Sequence, residues 1–400
     1  MMMDSSRAGG LTSCGQYVSR KINVVRWQPV THPWAQLAHG DPDRGPSAKH
    51  FVSGSWDDDR NQLQWWDFRG SQPSAMDDSE DPPRSRSAHP PQSAHHSLQL
   101  AAQLDVCGDV QGIQFLSDDT LAAATSQGQV QVVQAKASNA GSGRVALESA
   151  RHWSTVHGQR FGSPYGCMGL AVFEGLIATG GQNGSVAVLD VKSSTPVGKL
   201  DGVDSSSLTD ILFIKQNSLL VSNVRGQMRL VDTRAPDIKS AVGTTYVFGE
   251  PIRINSIAQH ASQPHIVCSG MENGSIAFWD LRGQPHPITI LKGHENSSIS
   301  EVIFHPQQPE HVLSCSQNGE VWHWNGTAAS RPVLTQGTAN NPGMDNKCLW
   351  FNNDALKHRV NTEALMQSQH LPINSLDASG PYVVVGGDSE AIYVMSNVIM

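Results

Sequence analysis

The chain has no apolar stretch approaching about 18 residues, which excludes a helix that spans a bilayer. It has no cluster of lysines and arginines, and its formal net charge is −8, so the basic stripe of a nucleic-acid-binding surface is missing. The opening residues, MMMDSSRAGG, lack the apolar core expected of a secretory signal. Six cysteines (Cys14, Cys107, Cys167, Cys268, Cys315 and Cys348) stand without close pairs. That pattern excludes zinc spacing and suits reduced, mainly buried thiols in a nucleocytoplasmic protein. The common catalytic motifs are missing too. There is no G-x-S-x-G and no P-loop, and His294-Glu295 is followed by Asn-Ser-Ser rather than by a second histidine at helical spacing. Asp57-Asp58 reads as turn chemistry, not an acid–base dyad. No enzyme activity, metal or cofactor is expected.

What is present is a repeat. HIVCSGMENGSIAFWD and HVLSCSQNGEVWHWN are two copies of one phrase: an apolar run, a Gly-bearing turn, and an alternating run ending in Trp279-Asp280 or Trp324-Asn325. Their turn glycines, Gly274 and Gly319, lie 45 residues apart. That period, with Gly293-His294 ahead of the second copy, is the signature of a WD-repeat propeller blade. A lone four-stranded blade cannot bury its faces, so blades stack around an axis until the ring closes.

Seven copies are legible, with first strands near residues 21, 110, 167, 208, 254, 299 and 372. The seventh has only three strands. The fold expected is therefore an all-β, seven-bladed WD-repeat β-propeller. Its ring closes when residues near 15–19 (GQYVS) supply the missing outer strand, since an open edge invites aggregation. Residues 1–13 are expected to be a disordered N-terminus and 14–400 a single propeller. Long surface loops are expected at 69–97, 136–146 and 326–346. The first is Pro/Ser-rich with few large apolar residues and cannot repay its ordering entropy. His89, His95 and His96 in it are expected to be solvated rather than metal ligands.

WD-repeat blades often carry a hydrogen-bonded set: a histidine before the inner strand, a Ser or Thr on the next, an acid in the turn, and a Trp on the third. Blade six offers His294, Ser314, Asn318 and Trp324, and blade five offers Ser269, Asn273, Trp279 and Asp280. Blade one offers Trp66 and Asp67, and blade three offers Thr179 and Asn183 with Leu189 at the Trp position. All are read as structural. Val231-Asp232-Thr233-Arg234 loosely, and Trp279-Asp280-Leu281-Arg282 fully, fit the W-D-x-R ending of substrate receptors of cullin-RING ubiquitin ligases, so Arg234 and Arg282 mark an alternative function. The plainer reading is an arginine covering a strand end. Trp34, Trp56 and Trp350 lie in or near loops and are candidates for partner docking, weighed against local packing.

Four segments go beyond generic blade features: YVSRKINVVRW, FVSGSWDDDRNQLQWWD, HPQQPEHVLSCSQNGEVWHWN and LPINSLDASGPYVVVGGDSEAIYVMSN. Together they resemble the family of the forty-three-kilodalton nucleoporin, the WD-repeat subunit of the Y-shaped outer ring of the nuclear pore complex. The resemblance covers nearly the whole chain and departs from it at 69–97 and 136–146. It implies a scaffold at the nuclear envelope that supports mRNA and protein transport. The implied partners are other Y-complex nucleoporins, chiefly the short-arm α-solenoid subunit and its companion propeller. It implies no direct nucleic-acid contact and no membrane insertion, and it extends to kinetochores in mitosis.

Overall fold

Each copy of the repeat forms an antiparallel four-stranded sheet, and there are seven of them among the described residues. The computed structural model describes residues 12–29, 49–69, 96–137, 145–193, 195–235, 237–294, 297–327, 349–351 and 360–399. The strands of each blade are lettered a to d from axis to rim. Blade one is Lys21–Trp27, Lys49–Trp56, Asn61–Arg69 and Ser97–Val106. The a strands of blades two to seven are Val110–Phe115, Cys167–Phe173, Leu208–Lys215, Ile254–Gln259, Ile299–Phe304 and Ile373–Ser379.

Strand b is covered on both faces: Ile266–Met271 and His311–Ser316 are buried at every position, as expected of near-continuous apolar runs. Among the described residues the core is not one cluster but seven, each formed between adjacent blades. Ile266 and Phe278 of blade five, for example, share a cluster with Phe304, Val312 and Trp324 of blade six. Every blade thus depends on its neighbours, as the repeat period requires. Gly274 shows why the b–c turn is tight. It sits at φ +79°, and a Cβ there would run into the carbonyl oxygen of His294.

The ring closes as expected. Strand d of blade seven is Thr12–Tyr17, antiparallel to Ala391–Ser396. The strand begins earlier than the sequence suggests: Thr12 and Ser13, expected in a disordered N-terminus, already pair with Ser396 and Met395. Val18 adds one further bond, donating its N–H to the Glu390 carbonyl at 2.8 Å.

The expected loops shorten for the same reason, that pairing extends to their ends. Arg69 and Ser97 are register partners, so both ends of the first expected loop are strand, and 70–95 lies outside the described residues. Lys136 pairs with Ala146 and Ala137 with Val145, so the segment expected as a loop at 136–146 is strand at both ends. Most of 326–346 also lies outside the described residues, and the chain returns as Asn361–Met366, strand d of blade six.

Candidate functional site

The WD-type hydrogen bonds are assembled most fully in blade six. Ser314 on strand b accepts the Trp324 indole N–H at 2.9 Å, and its Oγ lies 2.8 Å from Nε2 of His294, which is buried. Asn318 does not reach that histidine. Its Oδ1 accepts from the Ser316 hydroxyl and from the Glu320 N–H, closing the turn. Instead Glu320, on the far side of the turn, lies 3.2 Å from His294 Nδ1. The carboxylate missing from position 318 is thus supplied two residues later, a substitution that the turn position alone did not reveal.

Blade five keeps the Ser–Trp bond, Trp279 to Ser269 at 2.9 Å, without a histidine, and Asn273 caps its turn by accepting the Ser275 N–H. Blade one repeats the bond between Trp66 and Ser53 at 2.9 Å, and Asp67 holds His50 at 2.7 Å. Blade three has Leu189 in place of the Trp but has a histidine that the sequence reading missed. His157 is buried, with Nδ1 2.8 Å from Ser185 Oγ and Nε2 3.4 Å from Thr179 Oγ1. Burial, with Lys199 nearby, pushes its pKa down to about 4, so it is neutral at physiological pH. The signal available was the His157-Gly158 pair, a reversal of Gly293-His294.

The two W-D-x-R arginines are folded back on their own strands. Arg282 places Nε and Nη2 each 3.0 Å from the two oxygens of Asp280, and Arg234 grips Asp232 in the same fork at 3.0 and 2.8 Å. Arg234 holds the Asp232 carboxyl down to about 2. Both guanidinium forks are occupied by the strand end that precedes them, and the ligase-receptor alternative is not favoured.

The candidate docking tryptophans divide. Trp350 is fully buried: it stacks on Phe278 with ring centroids 4.7 Å apart, and its indole donates to the Pro309 carbonyl at 2.9 Å. It fills the core between blades five and six and is not available to a partner, which corrects the docking expectation. Trp56 is half-buried at the junction of blades one and seven and donates to Asp388 at 3.1 Å. Trp34 lies outside the described residues. Of the cysteines, Cys167, Cys268 and Cys315 are buried free thiols, whereas Cys107 is exposed.

The axis holds a second network. In all seven blades the a–b pairing is broken by a bulge after the first paired a-strand residue or its neighbour, at Asn23, Gln111, Met168, Thr209, Asn255, Ser300 and Asn374. Three of these are asparagines, and each reaches the next blade. Asn23 donates to Val110 O, Asn255 to Ile299 O and Asn374 to Ile22 O, at 2.6–3.0 Å. The residue after the bulge points its side chain the same way. Asp210, Ser256, Glu301 and Ser375 accept the backbone N–H groups of Ile257, Val302, Leu376 and Val25, linking blades four through seven and on to blade one. In blades two and three that position is Gly112 or Gly169, and the inner strands come together directly. The repeated Ile-Asn at 22–23, 254–255 and 373–374 was the readable signal.

These strands surround an axial cavity of about 740 Å³. Asp210 and Asp377 line it with their carboxyl groups pushed up by burial to about 7 and about 6, and Arg26 pairs with Glu301 at 2.6 Å. Among the described residues no group of three or more His, Cys, Asp or Glu is arranged to hold a metal ion.

The class is thereby defined: a diverged WD-repeat propeller whose polar residues bind blade to blade. A family model described as "WD domain, G-beta repeat" matches residues 285–325. The chain is similar to "Nucleoporin Nup43" of Homo sapiens, 27% identical over 399 residues, an alignment that covers 95% of this chain and 97% of that protein. It is also 27% identical over 394 residues to "Nucleoporin Nup43" of Mus musculus, again over 95% of this chain and 97% of the relative. The chain is thus a WD-repeat propeller that is similar over most of its length to these two nucleoporins.

Proposed function

We propose that the protein is a scaffold subunit of the nuclear pore complex rather than an enzyme, and that it acts by docking other nucleoporins. The observation that carries this reading is end-to-end similarity to two nucleoporins, over 95% of this chain and 97% of each. A resemblance confined to one repeat would have argued only for the fold. The internal chemistry fits the role. The histidines and indoles of the WD sets are bonded to buried serines, and the axial side chains are bonded between blades. Both give rigidity to a disc whose faces and rim remain for partners.

The finer reading is docking on the short arm of the Y-shaped outer ring, beside the α-solenoid subunit and its companion propeller. It places the protein at the nuclear envelope, in support of mRNA and protein transport, with kinetochore association in mitosis. Purification of the tagged protein from nuclear extract, read by quantitative mass spectrometry, tests it. Outer-ring nucleoporins in near-equal amounts are expected. Recovery of a cullin and its adaptor instead would replace this reading with the ligase one.

A further inference from the structure

Among the described residues only one sheet lies outside the seven blades: a two-stranded hairpin, Gln159–Arg160 paired with Ser163–Pro164. It stands between strand d of blade two and strand a of blade three. Its base is fixed on the face that carries the b–c turns. Asn183, in the b–c turn of blade three, donates to the His157 carbonyl at 3.1 Å, and Tyr165 donates its N–H to the Gly158 carbonyl at 3.0 Å. His157 itself is buried and bonded to Ser185 and Thr179. The hairpin is therefore anchored through a packed polar group rather than hung from a loose loop.

Its tip does the opposite of what folding alone favours. Phe161 is 94% exposed, the most exposed of the large hydrophobic side chains. It also occupies φ +52°, ahead of Gly162 at φ +85°, where a glycine, asparagine or aspartate would be at ease and an aromatic residue is strained. Neither burial nor turn chemistry accounts for a phenylalanine there. Arg160 lies with its guanidinium 5.2 Å from the Phe161 ring centre and makes no salt bridge among the described residues.

We propose that the Arg160–Phe161 tip is a docking knob for a protein partner that offers an apolar socket rimmed by carboxylates, an inference that rests on the scaffold reading above. An exposed, pre-positioned aromatic beside an arginine that has no salt-bridge partner among the described residues matches the composition of interface anchors. The overall charge of −8 disfavours the polyanionic alternatives, a phosphate backbone or an anionic bilayer.

The test uses the full-length tagged protein, recovered with its associated chains. Phe161→Gly relieves the backbone strain, so its melting temperature is expected to be unchanged or higher. Its recovery of nucleoporins is expected to fall by roughly tenfold or more, the scale of losing an aromatic anchor. Arg160→Glu should fold normally and lose recovery as well. A photo-crosslinking phenylalanine analogue at position 161 should join the chain to another nucleoporin. Full recovery of nucleoporins by Phe161→Gly, or crosslinks from 161 only to a second copy or to nothing, overturns the inference and leaves the scaffold reading standing. If the unmodified protein recovers no nucleoporin, the scaffold reading fails and the inference falls with it.

Discussion

Arg26 of blade one and Glu301 of blade six pair at 2.6 Å over the inner strand of blade seven, which lies between their blades. Glu301 also accepts from the Ser375 hydroxyl at 2.7 Å and the Leu376 N–H at 2.9 Å, so one carboxylate ties three blades together at the point where the ring closes. Replacing Glu301 with alanine strands an arginine and a backbone donor. It is expected to cost about 2–3 kcal/mol, read as a lower urea midpoint. Because the two side chains share this network, Arg26→Leu combined with Glu301→Leu should cost less than the sum of the single changes.

Ring closure rests on a six-residue strand, Thr12–Tyr17, held to Ala391–Ser396. Deleting residues 1–10 should leave the melting temperature unchanged. Deleting 1–20 should lower it sharply and promote aggregation, because the edge of Ala391–Ser396 is then bare. An unchanged melting curve for the longer deletion would show that the ring does not depend on this strand.

Ser314 serves both His294 and Trp324, whereas Ser269 serves Trp279 and lies 3.5 Å from the weakly accepting Met271 sulfur. Both serines are fully buried. Ser314→Ala is therefore expected to destabilise by about 2–3 kcal/mol and Ser269→Ala by about 1–2 kcal/mol. Equal costs, measured by denaturant unfolding, would remove the distinction between blades five and six.

Acid should act in two directions. Asp210 and Asp377 are raised from 3.8 to about 7 and about 6, chiefly by burial. Their contribution is fully present below the ordinary value and is lost as pH rises through 6 to 7. His157 and His323 are lowered from 6.5 to about 4, again chiefly by burial, with Lys199 and His311 respectively adding to it. Their contribution is present above 6.5 and is lost as pH falls towards 4. Asp210→Asn should therefore be costlier at pH about 5 than at pH about 8, and His323→Gln should make stability fall less steeply below pH about 6.5. Paired unfolding curves at the two pH values check both signs.

Trp350→Ala should cost about 3–5 kcal/mol through the cavity it opens between blades five and six. Any loss of partner binding by that variant should track its loss of fold, and a variant that stayed fully stable would return Trp350 to the docking candidates.

The blades were legible because their signals are local: alternating strands, a turn glycine, and a closing Trp within one 45-residue copy, as at Gly274 and Gly319. Ring closure was legible because the seventh copy lacks a strand. The axial network was harder to read, since its partners are far apart in the chain. Arg26 and Glu301 are separated by 275 residues, and Asn374 and Ile22 by 352. The Ile-Asn repeats were visible as strands, but the bulge that turns each asparagine towards its neighbour is a property of the assembled ring. Trp350 looked like a loop residue because the stretch around it has no strand pattern, and only the stacking on Phe278 reveals its place. Glu320 was hidden by the expectation that the acid stands at position 318.

The central claim is that the protein is a resident scaffold of the nuclear pore, and photobleaching of the fluorescently tagged protein at its own locus tests it most directly. The account predicts a continuous nuclear rim in interphase whose fluorescence recovers slowly, as expected of a subunit built into a stable assembly. Diffuse fluorescence with rapid recovery would contradict it, leaving a WD-repeat propeller with some other task.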